Sequence, residues 1–341
     1  MLDRAAIQRI LLIRLSAVGD VINTLPAVTA VRASFPKAHI AFVVEDKAKD
    51  VVVGHPDLDE VIVFPRKRWS KQLWNPLRLV RTLSEAGGYL GAIREKAFDV
   101  VVDFQANLKG AMHSWLSNVP VRIGFARGHT MEMNHWFSTI RVAPYSETIN
   151  RVDKFLALLQ PLGVAPSLGK YRLPSSLSSQ AAVDDYLKSV GCGRYVLVHP
   201  GTSDFGKAKR WPLDRFAALA NRINTDLRMS VIVAWGPGEK PMAEEIVKAS
   251  RAFLAMETHS LLELAELERR ATLFIGADSG PLHLASAVGV PSVALFGPKD
   301  PAVYGPCNPR HRVVYKPNGN GIGNMQAITV EDAFAAVKAL L

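Results

Sequence analysis

The chain has 341 residues, of which 48% are hydrophobic and 21% charged, and its formal net charge is +10. This balance excludes wholesale disorder and gives two domains of ordinary size enough apolar surface for their cores, while no apolar run reaches the roughly 18–20 residues of a membrane-spanning helix. The cation excess is concentrated in residues 1–170, with 22 Lys+Arg against 15 Asp+Glu, compared with 19 against 16 in residues 171–341, so the first half is expected to meet the more anionic partner, whether nucleic acid, membrane surface or phosphorylated substrate.

After the charged start Met1–Arg9, the apolar run Ile10–Ile13 stops at Arg14. That is shorter than the roughly 7–15 residues of a secretory h-region, so a cytoplasmic protein is expected. Two cysteines, Cys192 and Cys307, fit a reducing compartment. Ile10–Leu15 reads as a buried strand, Val21–Ser34 as a helix, and His39–Val44, Val61–Phe64, Asp99–Asp103 and Arg122–Phe125 as further strands. Alternation of strand and helix implies a parallel, Rossmann-like sheet. The stretch Pro161–Ser179 is rich in Pro, Gly and Ser and reads as a linker. The pattern then restarts: strands at Tyr195–His199, Ser230–Ala234, Leu273–Ala277 and Ser292–Phe296, with helices at Leu213–Ile223, Met242–Ser250 and Leu282–Val288. Pro317–Gly323 reads as a flexible loop. The expected class is α/β, with two Rossmann-like domains, 1–170 and 171–341, whose sheet edges border a central ligand-binding cleft.

Five segments carry possible chemistry. Ser16-Ala17-Val18-Gly19-Asp20 lies between a strand and a helix; Asp20 is either a helix cap or a carboxylate able to take a proton from an attacking hydroxyl. His199-Pro200-Gly201-Thr202-Ser203, followed by Lys207–Pro212, joins a glycine turn, two hydroxyls and several cations. That suits a diphosphate, although a solvated basic turn would look the same. In Trp235-Gly236-Pro237-Gly238-Glu239 the acid either holds a ribose hydroxyl or sits favourably at a helix start. Gly276-Ala277-Asp278-Ser279-Gly280-Pro281-Leu282-His283 opens a helix whose free N–H groups would bind an anion, or which Asp278 or Ser279 merely caps. The fifth is the basic, aromatic stretch Arg66–Trp74, with no acid from Val61 to Ser84, which reads as a solvated helix face, a nucleic-acid patch or a membrane-docking surface. Lys109, after the strand ending at Asp103, adds a cation.

Together these motifs resemble the ADP-heptose:lipopolysaccharide heptosyltransferases, glycosyltransferase family 9, over nearly the whole chain. The resemblance runs through Ile10–Val28, Val101–Ala111, Val198–Pro212, Ala234–Lys240 and Phe274–Pro301. It implies the GT-B fold, with an acceptor-binding first domain and a donor-binding second one. It implies Asp20 as general base and Lys209 as the catalytic cation. Thr202, Ser203, Glu239, Asp278, Ser279, Gly280 and His283 would hold the nucleotide-sugar donor, and Arg66, Lys67, Arg68 and Lys109 would meet the acidic acceptor. The basic stretch is similar to that of heptosyltransferase I, acting on Kdo–lipid A, whereas Ser279 and Pro281 stand where that branch more often has Thr and Leu. The implied reaction is inverting transfer from ADP-L-glycero-D-manno-heptose at the membrane's cytoplasmic face, with domain closure about Pro161–Ser179. The expectation is of no clustered Asp-X-Asp carboxylates in the chain, and so of neither a metal nor another cofactor. A dinucleotide oxidoreductase would need G-x-G-x-x-G after the first strand, which is absent. A nucleic-acid binder would explain the charge but not the loops. Another acceptor, such as a later core heptose, another surface glycan or a protein, is the alternative within the family.

Overall fold

In the computed structural model, which describes residues 2–72, 76–146 and 148–341, the first apolar run becomes β1 (Arg9–Ile13), with Ile10 to Ile13 fully buried. It pairs in parallel with β2 (His39–Glu45) on one side and β4 (Val100–Asp103) on the other. β3 (Glu60–Phe64), β5 (Val121–Phe125) and β6 (Ile140–Val142) complete a parallel sheet in the order β3-β2-β1-β4-β5-β6. The central strands are covered on both faces, which is why they read as unbroken apolar runs rather than alternating ones.

The chain divides into two units, Met1–Pro174 and Ser175–Leu341. The second repeats the plan with β7 (Tyr195–His199), β8 (Ser230–Val233), β9 (Phe253–Leu254), β10 (Leu273–Ala277), β11 (Ser292–Phe296) and β12 (His311–Tyr315), ordered β12-β11-β10-β7-β8-β9. Renumbered within its own unit, this is the same Rossmann order as the first sheet. The order reverses between β1 and β4 in one unit and between β7 and β10 in the other. Loops leaving the C-terminal ends of those strands splay apart and leave room for a ligand.

Ten helices matter below: α1 (Val18–Ser34), α2 (Arg66–Gln72), α3 (Pro76–Glu95), α4 (Leu108–Leu116), α5 (Arg151–Ala157), α6 (Leu177–Ser189), α7 (Leu213–Asp226), α8 (Lys240–Lys248), α9 (Leu261–Arg270) and α10 (Gly280–Val288). Three expectations change here. α1 starts at Val18, so Gly19 and Asp20 lie inside its first turn; Ala17 is the capping position, and no side chain caps it. The Pro161–Ser179 stretch is not a loose linker. Its first part is strapped to the first unit by Tyr171 Oη donating to Asn23 (3.2 Å), by Arg172 on Asp57 (2.7 Å) and by His55 Nε2 against the Arg172 carbonyl (3.0 Å), and its end enters α6. Pro317–Gly323 is closed by a bridge between its ends, and the Asn318 carboxamide accepts from the N–H of Asn320 and of Ile322. Asx bonds of this kind fix a turn that composition alone marks as flexible.

Candidate functional site

In the first unit the site is built on the ends of β1 and β4. Arg14 follows β1 and is almost wholly buried. Its guanidinium donates to the Phe104 carbonyl (2.5 Å), pairs with the Asp20 carboxylate and lies over the Phe155 ring (5.2 Å). Burial pulls the Arg14 pKa below its ordinary value, and Asp20 opposes that. Arg151, the first residue of α5, brings Nε to 4.0 Å from the other Asp20 oxygen. A partly exposed carboxylate at a helix N-terminus is thereby flanked by two guanidinium groups that fix its position. The loop is laced to its neighbour by Gln105, whose Oε1 accepts from Leu15 N (2.9 Å) and Ser16 N (3.2 Å).

Behind this pair stands Asp103, the last residue of β4. Burial pushes its carboxyl up to about 6, against the opposing bonds from Asn134 Nδ2 (2.7 Å) and Gln105 N (2.8 Å). Lys154, one turn along α5 from Arg151, rests over Phe125 (4.7 Å). Burial, then repulsion from Arg151 and Arg14, pulls it down to about 8. Sequence reasoning missed Arg14, Arg151, Lys154 and the role of Asp103. Arg14 carried the one available signal, a cation interrupting an apolar strand just before the loop.

The four expected acceptor cations do not form one unpaired field. Arg66 (3.2 Å) and Lys109 (3.0 Å) both converge on buried Glu45, at the end of β2. Arg68 pairs instead with Glu85 (2.7 Å), which also takes Arg81 and the Trp69 indole N–H. The side chain of Lys67 is exposed. Trp69 is not a surface anchor: its ring packs edge-on against Phe64 (5.4 Å) and Tyr89 (5.8 Å). Leu73 and Trp74, expected in the same stretch, lie outside the described residues. An Asp-X-Asp run does occur, away from the loops, at Asp57-Leu58-Asp59. Asp57 holds Arg172 (2.7 Å) and the Thr29 hydroxyl (3.0 Å), and Asp59 holds Arg32 and Ile40 N (2.7 Å). Among the described residues no group of three or more His, Cys, Asp or Glu side chains is placed to bind a metal ion.

In the second unit the loops after β7 and β10 meet. Trp211 is fully buried, stacks edge-on with Phe216 (4.9 Å) and donates its indole N–H to Ile328 O (2.9 Å). That anchor fixes Lys209, two residues earlier, whose Nζ reaches Asp278 Oδ2 at 2.6 Å. On the other side His283 Nε2 lies 3.6 Å from Asp278 Oδ1. Burial works to raise the Asp278 pKa, but bonds from His283 and Lys209 outweigh it and hold the carboxyl below its ordinary range. Ser279 occupies the capping position of α10 without making a cap bond, and its buried hydroxyl has no partner among the described residues. Gly280 is the first residue of the helix, so its N–H and the helix dipole open onto the same spot as Lys209 and His283.

Thr202 is spent on structure: its hydroxyl donates to Gly206 O (2.9 Å) and accepts from Arg210 Nε (3.1 Å). Ser203 is exposed. Glu239 precedes α8 and folds back, accepting from Gly236 N (2.9 Å) and standing 3.7 Å from His199 Nε2. A Cβ on Gly201 would collide with the Glu239 carboxylate, so a larger residue there would push that carboxylate out of its present position. Burial lowers the His199 pKa, with Glu239 opposing, so the ring is held neutral at pH 7.

The sequence model of glycosyltransferase family 9 (heptosyltransferase) matches residues 90–327. Lipopolysaccharide heptosyltransferase 1 of Pseudomonas aeruginosa is 29% identical over 307 residues, covering 87% of this chain and 81% of that protein. Among solved structures, a family 9 glycosyl transferase from Veillonella parvula superposes with a TM-score of 0.80 at 23% identity, covering 98% of this chain and 97% of the other. The Escherichia coli heptosyltransferase WaaC, solved with ADP-2-deoxy-2-fluoro heptose, gives 0.75 at 21% identity over 97% and 99%.

Proposed function

The chain belongs to glycosyltransferase family 9, the heptosyltransferases, and from that premise we propose that it transfers heptose with inversion from ADP-L-glycero-D-manno-heptose to the Kdo–lipid A inner core of lipopolysaccharide. The observation that carries the donor half is the mouth of α10. There Lys209, His283, the unpartnered Ser279 hydroxyl and the helix N-terminus gather at one point. Such a cluster fits a diphosphate whose charge grows as the bond to the sugar breaks. Asp278 sets Lys209 and His283 in place rather than meeting the phosphates itself, since two anions would repel. Glu239 and Gly201 border the neighbouring strand end and suit the ribose. The WaaC complex with an ADP-heptose analogue supports the choice of nucleotide.

The acceptor half rests on Asp20. Its carboxylate takes the proton of the acceptor hydroxyl as that oxygen bonds to the anomeric carbon; the bond from that carbon to the phosphate oxygen breaks, and the electron pair leaves with ADP. Arg14 and Arg151 hold the Asp20 carboxylate in place. Arg66, Lys67, Arg68 and Lys109 would lie near an acidic acceptor, although the net charge they offer is reduced by Glu45 and Glu85. A lipid-linked acceptor places the work at the inner membrane's cytoplasmic face, and among the described residues no helix is long and apolar enough to cross a membrane.

The test is calorimetry with ADP, UDP, GDP and NAD, followed by assay on Kdo–lipid A and on a heptosylated core. Selective ADP binding, with transfer to Kdo–lipid A, is expected. Preference for UDP or GDP would discard heptose; transfer only to the heptosylated core would move the protein one acceptor later.

A further inference from the structure

Exposed apolar residues are ordinary when scattered, but six of them gather on two touching segments of the first unit. Leu108, Met112 and Trp115 recur at helical spacing on one face of α4. Met131, Met133 and Trp136 lie on the segment 131–137. All six are between 37% and 68% exposed. The segment runs along the helix: Leu108 N donates to the Glu132 carboxylate (2.9 Å) at one end, and the Trp115 ring meets Phe137 edge-on (6.0 Å) at the other. Met131 N is held by the Ala106 carbonyl (2.8 Å).

The rim of this patch is cationic. Arg122 Nε donates to Phe137 O (2.8 Å) and Arg141 Nε to His135 O (2.7 Å), so both arginines are fixed against the segment by backbone bonds. Arg127 is exposed on the turn leading into Met131. Among the described residues none of the three meets a carboxylate. Between residues 104 and 146 the sequence holds four Lys or Arg and one acid, Glu132, which is occupied by the Leu108 amide.

We propose that the face formed by α4 and residues 131–137 is the surface by which this protein docks on an anionic lipid bilayer, with Trp115 and Trp136 seated at headgroup depth. Indole rings prefer that depth, and methionine and leucine enter the acyl boundary beneath it. The arginines meet lipid phosphates. This assignment moves the docking surface away from Arg66–Trp74, whose Trp69 is packed inward. It rests on the proposed lipid-linked acceptor for its purpose, and it joins that site physically. The Ala106 carbonyl that holds Met131 belongs to the loop whose Gln105 binds Leu15 and Ser16, ahead of Asp20.

The experiment is sedimentation of the full chain with vesicles of phosphatidylglycerol and phosphatidylethanolamine, and with phosphatidylcholine vesicles, together with quenching of tryptophan fluorescence by brominated acyl chains. Wild-type protein should partition onto the anionic vesicles and be quenched. The W115S/W136S variant should partition about tenfold less or weaker and lose the quenching, with thermal melting and ADP affinity unchanged. M131S/M133S should weaken partitioning in the same direction, and R127Q should reduce the preference for phosphatidylglycerol. Wild-type protein that ignores anionic vesicles would overturn the proposal, as would a W115S/W136S variant that partitions normally. So would wild-type self-association, without lipid binding, that the double substitution abolishes, because the face would then bind a second copy. ADP binding is measured separately, so failure of the donor assignment leaves the vesicle result interpretable.

Discussion

The loops at the two strand-order reversals differ in what they leave unmade. Beside β1 and β4 the polar groups are laced to one another, Arg14 to Asp20 and Phe104, Gln105 to Leu15 and Ser16, Asn134 to Asp103, and what stays unmet among the described residues is one further atom of groups already bonded, Arg14 Nε and Asn134 Oδ1. Beside β7 and β10, Lys209 and His283 converge on one carboxylate, yet the Ser279 hydroxyl is buried without a partner and no side chain caps α10. Buried polar groups are ordinarily satisfied, and at the mouth of α10 the unmet group, among the described residues, is a whole hydroxyl at an uncapped helix start beside Lys209 and His283, which is binding capacity in reserve. One topology thus serves two tasks, a preset carboxylate in the first unit and an open anion cradle in the second.

The largest effect should come from Asp20. An Asp20→Ala or Asp20→Asn enzyme is expected to transfer sugar roughly 10²–10⁴ times more slowly while binding ADP normally, because the proposed donor site is built in the other unit. Steady-state assay beside calorimetry checks this, and normal turnover in either variant would remove the assignment of the base. Asp20→Asn should be the more stable of the two, since it leaves Arg14 an oxygen to bond. Lys209→Ala reverses the pattern, lowering ADP affinity together with a transfer rate reduced by roughly 10²–10³. If the two variants gave the same pattern, the division of labour would fail.

A smaller effect sharpens the comparison through pH. The Asp103 carboxyl is raised above its unfolded value, so the stability linked to its proton is fully present below about pH 4 and is lost as pH rises through about 6. Asp103→Asn cannot ionise. Its unfolding free energy should therefore change less between pH 4 and 7 than that of the wild type, by about 1–3 kcal/mol. Denaturant titrations across that range make the measurement, and parallel curves would place the buried proton elsewhere.

The sequence made the central strands plain because both faces are covered, so Ile10–Ile13 and Tyr195–His199 are unbroken apolar runs. It hid the edges. β6 has three residues and β9 two, too few for any period to show, and β12 joins His311 and Arg312 to Val313 and Val314 without a clean alternation. Candidate site residues in or just after the connections that follow strands, such as Asp20, Lys209 and Asp278, could be read from position. Their partners could not: Glu45 lies 64 residues from Lys109, and Asp278 lies 69 from Lys209. The charge of Arg66–Arg68 was visible, whereas its neutralisation by Glu45 and Glu85 needed the packing of α2 and α3.

The finest test sets Ser279 against Thr202. Both hydroxyls are expected at the donor site from sequence, but the Thr202 hydroxyl is already bonded to Gly206 and Arg210, and that of Ser279 is not. Ser279→Ala removes a buried group that gains nothing in the free protein, so stability should hold or rise by a few tenths of a kcal/mol, while ADP affinity falls about three- to tenfold. Thr202→Val removes two satisfied bonds, so its cost should appear as lost stability, about 1–2 kcal/mol, with a smaller change in affinity. Melting curves and calorimetry on the two variants separate these outcomes. If Ser279→Ala left ADP affinity unchanged, its unmet hydroxyl would be no reserve for a ligand, and the contrast between the two units would rest on Lys209 and His283 alone.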